Sequence, residues 1–282
     1  MAPTLQDLVR RSAEFLEGKG ITNGRREAEW IFAETLGLTR LELYTQFERP
    51  LDTDEVGRLR ALVTRRGKRE PLAYVLGNQP FRDLVLQVGP GVLTPRPETE
   101  ELVGLILKEV PARMESGTAP CILDIGTGSG CIALALKKSR PAATVEATDA
   151  SPAALAQARA NAERLNLTVT FHHGHLASHL AGPYAIIVAN LPYIGEHELA
   201  DCDPELVHEP REALFSGPDG LTLIRELLSD LRRIAPGGIC WLEHGWRQGP
   251  AIRDLATAAG LSSTLIKDGA DQDRFTRVTI PA

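Results

Sequence analysis

The sequence has few cysteines, no apolar run of membrane length and no excess of positive charge. Its four cysteines are Cys121, Cys131, Cys202 and Cys240. No two stand at a C-x-x-C spacing, which argues against a zinc site. Three lie in or beside strongly apolar stretches and read as small buried hydrophobes. A reducing, cytoplasmic setting fits them best. Residues 1–17 carry Asp7, Arg10, Arg11 and Glu14 among their apolar positions, so they form neither a signal peptide nor a membrane span. The formal net charge is -6, which disfavours binding long nucleic acid through a broad positive field. There is no internal repeat and no low-complexity segment. The 282 residues, 43% hydrophobic and 24% charged, suffice for one large or two modest domains with a sizeable core.

What is present falls into two patterns. Up to about residue 75 the apolar residues recur at helical spacing. Leu5, Leu8, Val9, Ser12, Phe15 and Leu16 share one face, and Gly18 and Gly20 stop that helix. Ala28, Ile31, Phe32, Thr35 and Leu36 repeat the pattern. Thr39 with Glu42, and Asp52 with Glu55, are helix-opening signatures. The reading is a small helical bundle. Arg58, Arg60, Arg65, Arg66, Lys68 and Arg69 form a basic run at its end. It reads first as a solvated helix face, and otherwise as a docking patch for an acidic protein or RNA phosphate.

From Phe81 the period becomes two. Leu84, Leu86 and Val88 alternate with Val85 and Gln87, and Gly89-Pro90-Gly91 turns the chain before Val92-Leu93. This predicts a hairpin linking two domains. Strands at 121–125, 144–148, 169–171, 184–189 and 239–243 then alternate with helices beginning at 131 and spanning 152–165, 221–234 and 251–259. Strands at 262–266 and 274–280 close the chain. The alternation predicts an α/β domain with a mainly parallel sheet and helices on both faces.

Asp124-Ile125-Gly126-Thr127-Gly128-Ser129-Gly130 follows a strand and opens a helix. Glycines there let the backbone turn sharply and approach a ligand. A dinucleotide fingerprint would read G-x-G-x-x-G; here the spacing is G-x-G-x-G. The acid Asp124 would repel a pyrophosphate but suits the ammonium of an amino-acid ligand. The loop therefore favours S-adenosylmethionine over NAD. Asp149 ends the next strand, roughly 20 residues on, where an acid accepts hydrogen bonds from ribose hydroxyls. Ser151 before Pro152 is the better helix cap, which leaves Asp149 free for ribose.

Asn190-Leu191-Pro192-Tyr193 follows the strand 184–189. Ligands of open parallel sheets bind at the carboxyl ends of strands. A carboxamide oxygen and a backbone carbonyl can accept both hydrogens of an NH2 group and aim its nitrogen at a methyl donor. Pro192 stiffens the turn, and Tyr193 can stack on a flat amide or base. In isolation the segment also reads as an Asn-x-Pro turn with a core tyrosine. Its place after the glycine loop and the ribose acid favours the functional reading.

Four segments carry a resemblance that covers nearly the whole chain. They are Arg69-Glu70-Pro71-Leu72-Ala73-Tyr74-Val75-Leu76-Gly77, Leu93-Thr94-Pro95-Arg96-Pro97-Glu98-Thr99-Glu100-Glu101-Leu102-Val103, the glycine loop with residues 190–193, and Leu242-Glu243-His244-Gly245-Trp246 with Gln248-Gly249. Together they resemble the protein-(glutamine-N5) methyltransferases that modify release factors, the PrmC/HemK family. The Pro-Arg-Pro-Glu-Thr-Glu order is the most specific of them. The resemblance implies a Rossmann-like class I methyltransferase domain with a mainly parallel seven-stranded sheet, at 96–282. A helical bundle at 1–77 that recognises the release factor precedes it, with a β-hairpin linker at 78–95. It implies S-adenosyl-L-methionine as donor, S-adenosyl-L-homocysteine as product, and the glutamine of a Gly-Gly-Gln loop in a class 1 peptide chain release factor as acceptor. By position, Gly126, Thr127, Gly128, Ser129 and Gly130 contact the donor's amino-acid part, Asp149 its ribose, and Leu176 its adenine. Asn190 and the carbonyl of Leu191 hold the substrate amide, with Pro192 and Tyr193 against it; Arg96, Glu98, Thr99 and Glu100 brace the site. A monomer without nucleic-acid or membrane partners is expected.

This chain departs from the family pattern twice. Leu191 stands where the family has proline, and His175 where it has an acid. Asn-Leu-Pro-Tyr is also similar to the motif of RNA adenine dimethyltransferases, so an adenine-N6 methyltransferase acting on RNA or DNA is the alternative. His172, His173, His175 and His179 read as loop residues, with a metal site as the other reading. His244 reads as structural.

Overall fold

The computed structural model describes residues 3–114 and 120–282. The chain divides into two compact units. One is Met1–Asn78 with Asp203–His208, the other Gln79–Cys202 with Glu209–Ala282.

The first unit is helical. Helix α1 (Leu5–Gly18) begins at Thr4, whose hydroxyl accepts from the Asp7 amide. Helix α2 (Gly24–Leu36) ends on Gly37 in the left-handed region. Both expected capping boxes are formed, Thr39/Glu42 opening α3 (Arg40–Thr45) and Asp52/Glu55 opening α4 (Thr53–Gly67). A short α5 (Leu72–Leu76) follows. Leu5, Leu16, Ile31, Phe32, Leu43 and Leu59 form one core. The buried face of α1 is Leu5, Val9, Ala13 and Leu16, while Phe15 is 41% exposed. Phe15 lies instead over Gly67, close enough that a Cβ there would stand 2.4 Å from its ring.

Half of the basic run is held in ion pairs. Arg66, 5% exposed, binds Glu27 at 2.5 Å and Glu205 at 3.0 Å. Arg69 reaches Glu205 at 2.8 Å, and Arg65 forks onto Glu70 at 2.9 and 2.5 Å. A guanidinium this buried needs carboxylates around it, and acids scattered along the sequence provide them.

The second unit opens with a hairpin placed differently from the sequence expectation. Strands β1 (Asn78–Phe81) and β2 (Leu84–Gln87) pair with each other. Their connection is Arg82-Asp83, with Arg82 at φ 53°. The residues around Gly89-Pro90-Gly91 pair with no strand among the described residues. Arg-Asp lacks the Asn-Gly signal of tight hairpin loops, which is why the more conspicuous glycines drew the expectation.

Helix α6 (Pro97–Met114) begins with proline at its first position, where no amide hydrogen is needed. Strands β3 (Cys121–Ile125), β4 (Thr144–Asp149), β5 (Thr170–His173), β6 (Ile186–Asn190), β7 (Ile239–Glu243), β8 (Ser262–Lys267) and β9 (Asp273–Thr279) form one seven-stranded sheet, ordered β5-β4-β3-β6-β7-β9-β8. β9 runs opposite to the other six strands. Helices α7 (Cys131–Ser139), α8 (Pro152–Leu165), α9 (Thr222–Ile234) and α10 (Gly249–Ala258) connect the strands. On α9, Ile224, Leu227, Leu228, Leu231 and Ile234 make a single apolar stripe and join Ile187, Cys240 and Leu242 in the core. The order reverses between β3 and β6, so their carboxyl ends open the crevice where ligands of such sheets bind. No helix among the described residues is long and apolar enough to cross a membrane.

Candidate active site

A cavity of about 470 Å³ lies at those carboxyl ends. This is within the range of small-molecule sites, roughly 300–1,000 Å³. Gly126, Gly128, Asp149, Leu176, Asn190, Leu191 and Pro192 all line it, as does His175. The sequence had picked these from segments far apart in the chain, and the parallel sheet brings them together.

The glycine loop is shaped by what lies behind it. Gly126 has φ 74°, and a Cβ on it would stand 3.1 Å from Leu191 Cδ2. Gly130 has φ 85°, with Leu134 Cδ1 3.0 Å from where a Cβ would be. Asp124 is fully buried rather than exposed to the cavity. Its Oδ2 accepts from Thr127 Oγ1 at 2.7 Å and from the Ala133 amide at 3.2 Å, stitching the loop to the first turn of α7. Its Oδ1 has no partner among the described residues. Burial lifts this carboxyl to about 7, opposed by those two hydrogen bonds. Thr127, Ser129 and Gly130 are buried and do not line the cavity. Ser129 offers its carbonyl to Asn161 Nδ2 at 3.0 Å. Asn161, fully buried on α8, also exchanges two hydrogen bonds with the Gln87 backbone at 2.8 and 2.9 Å. An asparagine inside an alanine-rich helix was the signal for it.

Asp149 ends β4 with its carboxylate at the cavity wall. Oδ2 accepts from the Gly128 amide at 2.9 Å and Oδ1 from the Ser151 amide at 2.8 Å. A carboxylate has about four acceptor positions, so capacity remains for ligand hydroxyls. Ser151 caps α8 as expected, its hydroxyl accepting from the Ala154 amide at 3.3 Å. Leu176 lines the cavity with φ 47°, a strained value for a branched side chain.

At the end of β6, Asn190 Nδ2 donates to Thr99 Oγ1 at 3.1 Å and to Glu243 Oε1 at 2.9 Å. Glu243, 2% exposed, ends β7. Burial lifts its carboxyl to about 7, with Thr99 and Arg274 pulling it down and Glu98 pushing it up. Leu191 is 4% exposed and packs in the core beside the cavity. Tyr193 is half-buried and not among the lining residues; burial and the charge of Glu243 push its phenol up to about 12. Its carbonyl accepts from Gln248 Nε2 at 2.7 Å.

Arg96 and Glu98 also stand off the cavity wall. Arg96 pairs at 2.6 Å with Glu209, which is 6% exposed and also accepts from the amide and hydroxyl of Thr94. This clasp fixes the end of the loop that leaves Tyr193. Sequence reasoning missed Glu209, Glu243 and Asn161. Glu243 carried the same mark as Asp149, an acid closing an apolar strand.

The histidines do not form a centre. His172 and His173 sit on β5 rather than in a loop, and His172 pairs with Glu146 at 2.8 Å. His175 pairs with Glu226 at 2.9 Å. Among the described residues no three His, Cys, Asp or Glu are grouped to hold a metal ion. His244 is fully buried against Thr276, and burial pushes its pKa down.

Residues 103–227 match the family model described as "Methyltransferase small domain", and residues 7–77 that described as "PrmC N-terminal domain". Among solved structures, the fold is similar to that of the 16S rRNA N2 G1207 methyltransferase of T. thermophilus, in complex with AdoMet and guanosine. That likeness has a TM-score of 0.52 at 16% identity and covers 73% of this chain and 50% of that one. Sheet order, cavity and family models thus define an α/β methyltransferase of the Rossmann-like class. Among curated proteins, the release factor glutamine methyltransferase of Geobacter sulfurreducens is 40% identical over 91% of this chain and 89% of its own length. That of Caulobacter vibrioides is 38% identical over 97% and 96%. The chain belongs to the release factor glutamine methyltransferase family.

Proposed function

We propose that this chain transfers a methyl group from S-adenosyl-L-methionine to the side-chain amide nitrogen (N5) of the glutamine in the Gly-Gly-Gln motif of class 1 peptide chain release factors. Likeness along nearly the whole chain to relatives of that name carries the reading. The geometry of Asn190 supports it. Both N–H groups of its carboxamide are spent on Thr99 and Glu243, leaving the oxygen free beside the cavity. An amide NH2 is the complement of that oxygen.

The residues fit the donor. The glycine loop leaves room beside Gly128, where a Cβ would meet nothing within 4 Å. Asp149 has acceptor positions to spare for ribose hydroxyls, and Leu176 gives an apolar surface for an adenine. The Oδ1 of buried Asp124 is unpartnered among the described residues, and an ammonium bound nearby would favour the ionised form that burial opposes. S-adenosyl-L-methionine supplies an electrophilic methyl group on a sulfonium and leaves as S-adenosyl-L-homocysteine. Asn190 Oδ1 and the Leu191 carbonyl accept the two amide hydrogens and aim the nitrogen at that methyl group, with Pro192 stiffening the turn and Tyr193 behind it. Arg96 and Glu98 act from outside the cavity. Positioning of this kind accounts for much of the acceleration in two-substrate reactions. The helical bundle at 1–77 helps grip the release factor, 78–95 links, and 96–282 catalyses. The enzyme works as a cytoplasmic monomer and needs no nucleic acid.

The test is mass spectrometry of purified class 1 release factors after incubation with the protein and labelled donor. One added methyl group on the Gly-Gly-Gln glutamine is expected. No added methyl mass overturns the proposal, and protease-resistant label in RNA or DNA would assign the adenine-N6 reaction instead.

A further inference from the structure

Asn190 is held by two side chains from distant parts of the sequence, and these two also hold each other. Thr99 Oγ1 donates its single proton to Glu243 Oε2 at 2.8 Å. Toward Asn190 that oxygen can therefore only accept, as can the Glu243 carboxylate once ionised, above about pH 7. Thr99 is 1% exposed and Glu243 2%, so solvent does not stand in for either partner. Turning the carboxamide over would set Asn190 Oδ1 against two buried acceptors, at 3.1 and 2.9 Å. A buried polar group facing the wrong polarity loses its hydrogen bonds outright. One orientation of Asn190 survives, with Oδ1 away from this pair.

We propose that Thr99 and Glu243 are positioning residues that fix the orientation of the Asn190 carboxamide, and so decide that the acceptor site takes a nitrogen carrying N–H groups. The proposal rests on the acceptor role given to Asn190 above. With Oδ1 held outward, an acceptor atom such as a carbonyl oxygen meets repulsion at the same point. Without the clasp, either face of Asn190 could present itself, and the amide nitrogen would be held by a group that is correctly oriented only part of the time.

The variants are Thr99→Val, Thr99→Ser and Glu243→Gln, each also combined with Asn190→Ala. Valine removes the hydroxyl at constant shape. Glutamine keeps the shape of Glu243 but adds an N–H donor, which makes both orientations of Asn190 satisfiable. The readouts are kcat and KM on a release factor and the donor Kd by calorimetry. Thr99→Val and Glu243→Gln should each lower kcat by about tenfold, since small misplacements of a reacting group carry penalties of that order or more. Donor Kd should stay within about twofold, and Thr99→Ser should restore most of kcat. On an Asn190→Ala background, Thr99→Val should have no further effect, because residues acting through one group are not additive. The clasp is refuted if Thr99→Val keeps full kcat, if donor affinity falls in step with kcat, or if the loss is the same with and without Asn190. Unmodified protein that fails to methylate the factor would instead sink the function above; an active protein with a fully active Thr99→Val sinks the clasp alone.

Discussion

Asp149→Ala removes a carboxylate that fastens the backbone and, in the proposed function, holds the donor. Inside the protein it accepts from the Gly128 and Ser151 amides. Toward the cavity it keeps acceptor positions for two ribose hydroxyls. Loss of charge-assisted hydrogen bonds to the donor should cost roughly 1.5–3 kcal/mol, or roughly ten- to 150-fold in donor Kd. Losing the two backbone bonds adds roughly 1–2 kcal/mol of destabilisation, which a domain of this size shows as a drop of about 2–4 °C in Tm per kcal/mol. Asp149→Asn separates the two effects, since one side-chain oxygen remains to accept from the loop. It should melt closer to the unmodified protein while still binding the donor poorly. Calorimetric titration with S-adenosyl-L-methionine and with S-adenosyl-L-homocysteine, beside a thermal melt, measures both quantities. Turnover at saturating donor should change little. A folded Asp149→Ala protein with unchanged affinity for both ligands would refute the ribose assignment.

Other perturbations read other parts of the structure. Asn190→Ala should lower kcat and leave donor Kd nearly unchanged; the reverse pattern in steady-state kinetics and calorimetry would show that Asn190 serves the donor. Asp124 and Glu243 are both held near 7 by burial, against ordinary carboxyl values near 4. A raised folded pKa means the folded state holds its protons more tightly. The stability these groups contribute is therefore full below about pH 4 and is lost as pH rises through about 7. Melting temperature followed from pH 5 to pH 8 should show this decline, and Asp124→Asn should flatten it; an equal slope in the variant excludes Asp124 as a source. Glu205→Ala strips one carboxylate from Arg66, which is 5% exposed, and from Arg69 its only carboxylate partner among the described residues. A loss of about 3 kcal/mol by urea denaturation is expected when a buried pair is broken; an unchanged midpoint would show that Glu27 alone suffices.

Much of the fold could be read from local rules. The capping residues Thr39, Asp52 and Ser151 define helix starts through bonds within three residues, and the apolar stripe of α9 needs only its own spacing. That Gly126, Gly128, Asp149 and Asn190 lie at one cavity was legible because the parallel strands β3, β4 and β6 put their carboxyl ends on one side. What stayed hidden depends on partners far away in sequence. Arg66 finds Glu205 and Arg96 finds Glu209, and no periodicity marks such pairs. The hairpin turn at Arg82-Asp83 was hidden for a different reason: an arginine at positive φ gives no compositional sign. Asp124 looked like a cavity acid from its place beside the glycines, but its carboxyl turns inward to fasten the loop, a choice that depends on the Thr127 hydroxyl and the Ala133 amide.

Glu205 also bears on how the protein is made. The short 3-10 helix Pro204–His208 belongs with Asp203 to the helical unit, although Cys202 and Glu209 on either side belong to the other. On the ribosome α1–α5 emerge before the strands of the sheet, and domains commonly fold in that order. This one cannot complete itself then. Arg66 and Arg69 wait for a carboxylate that arrives only after β6 and the loop that leaves Tyr193 have been synthesised. The helical unit is thus closed by a late stretch of chain, and its last ion pairs report that the polypeptide has grown past the Asn190–Tyr193 segment.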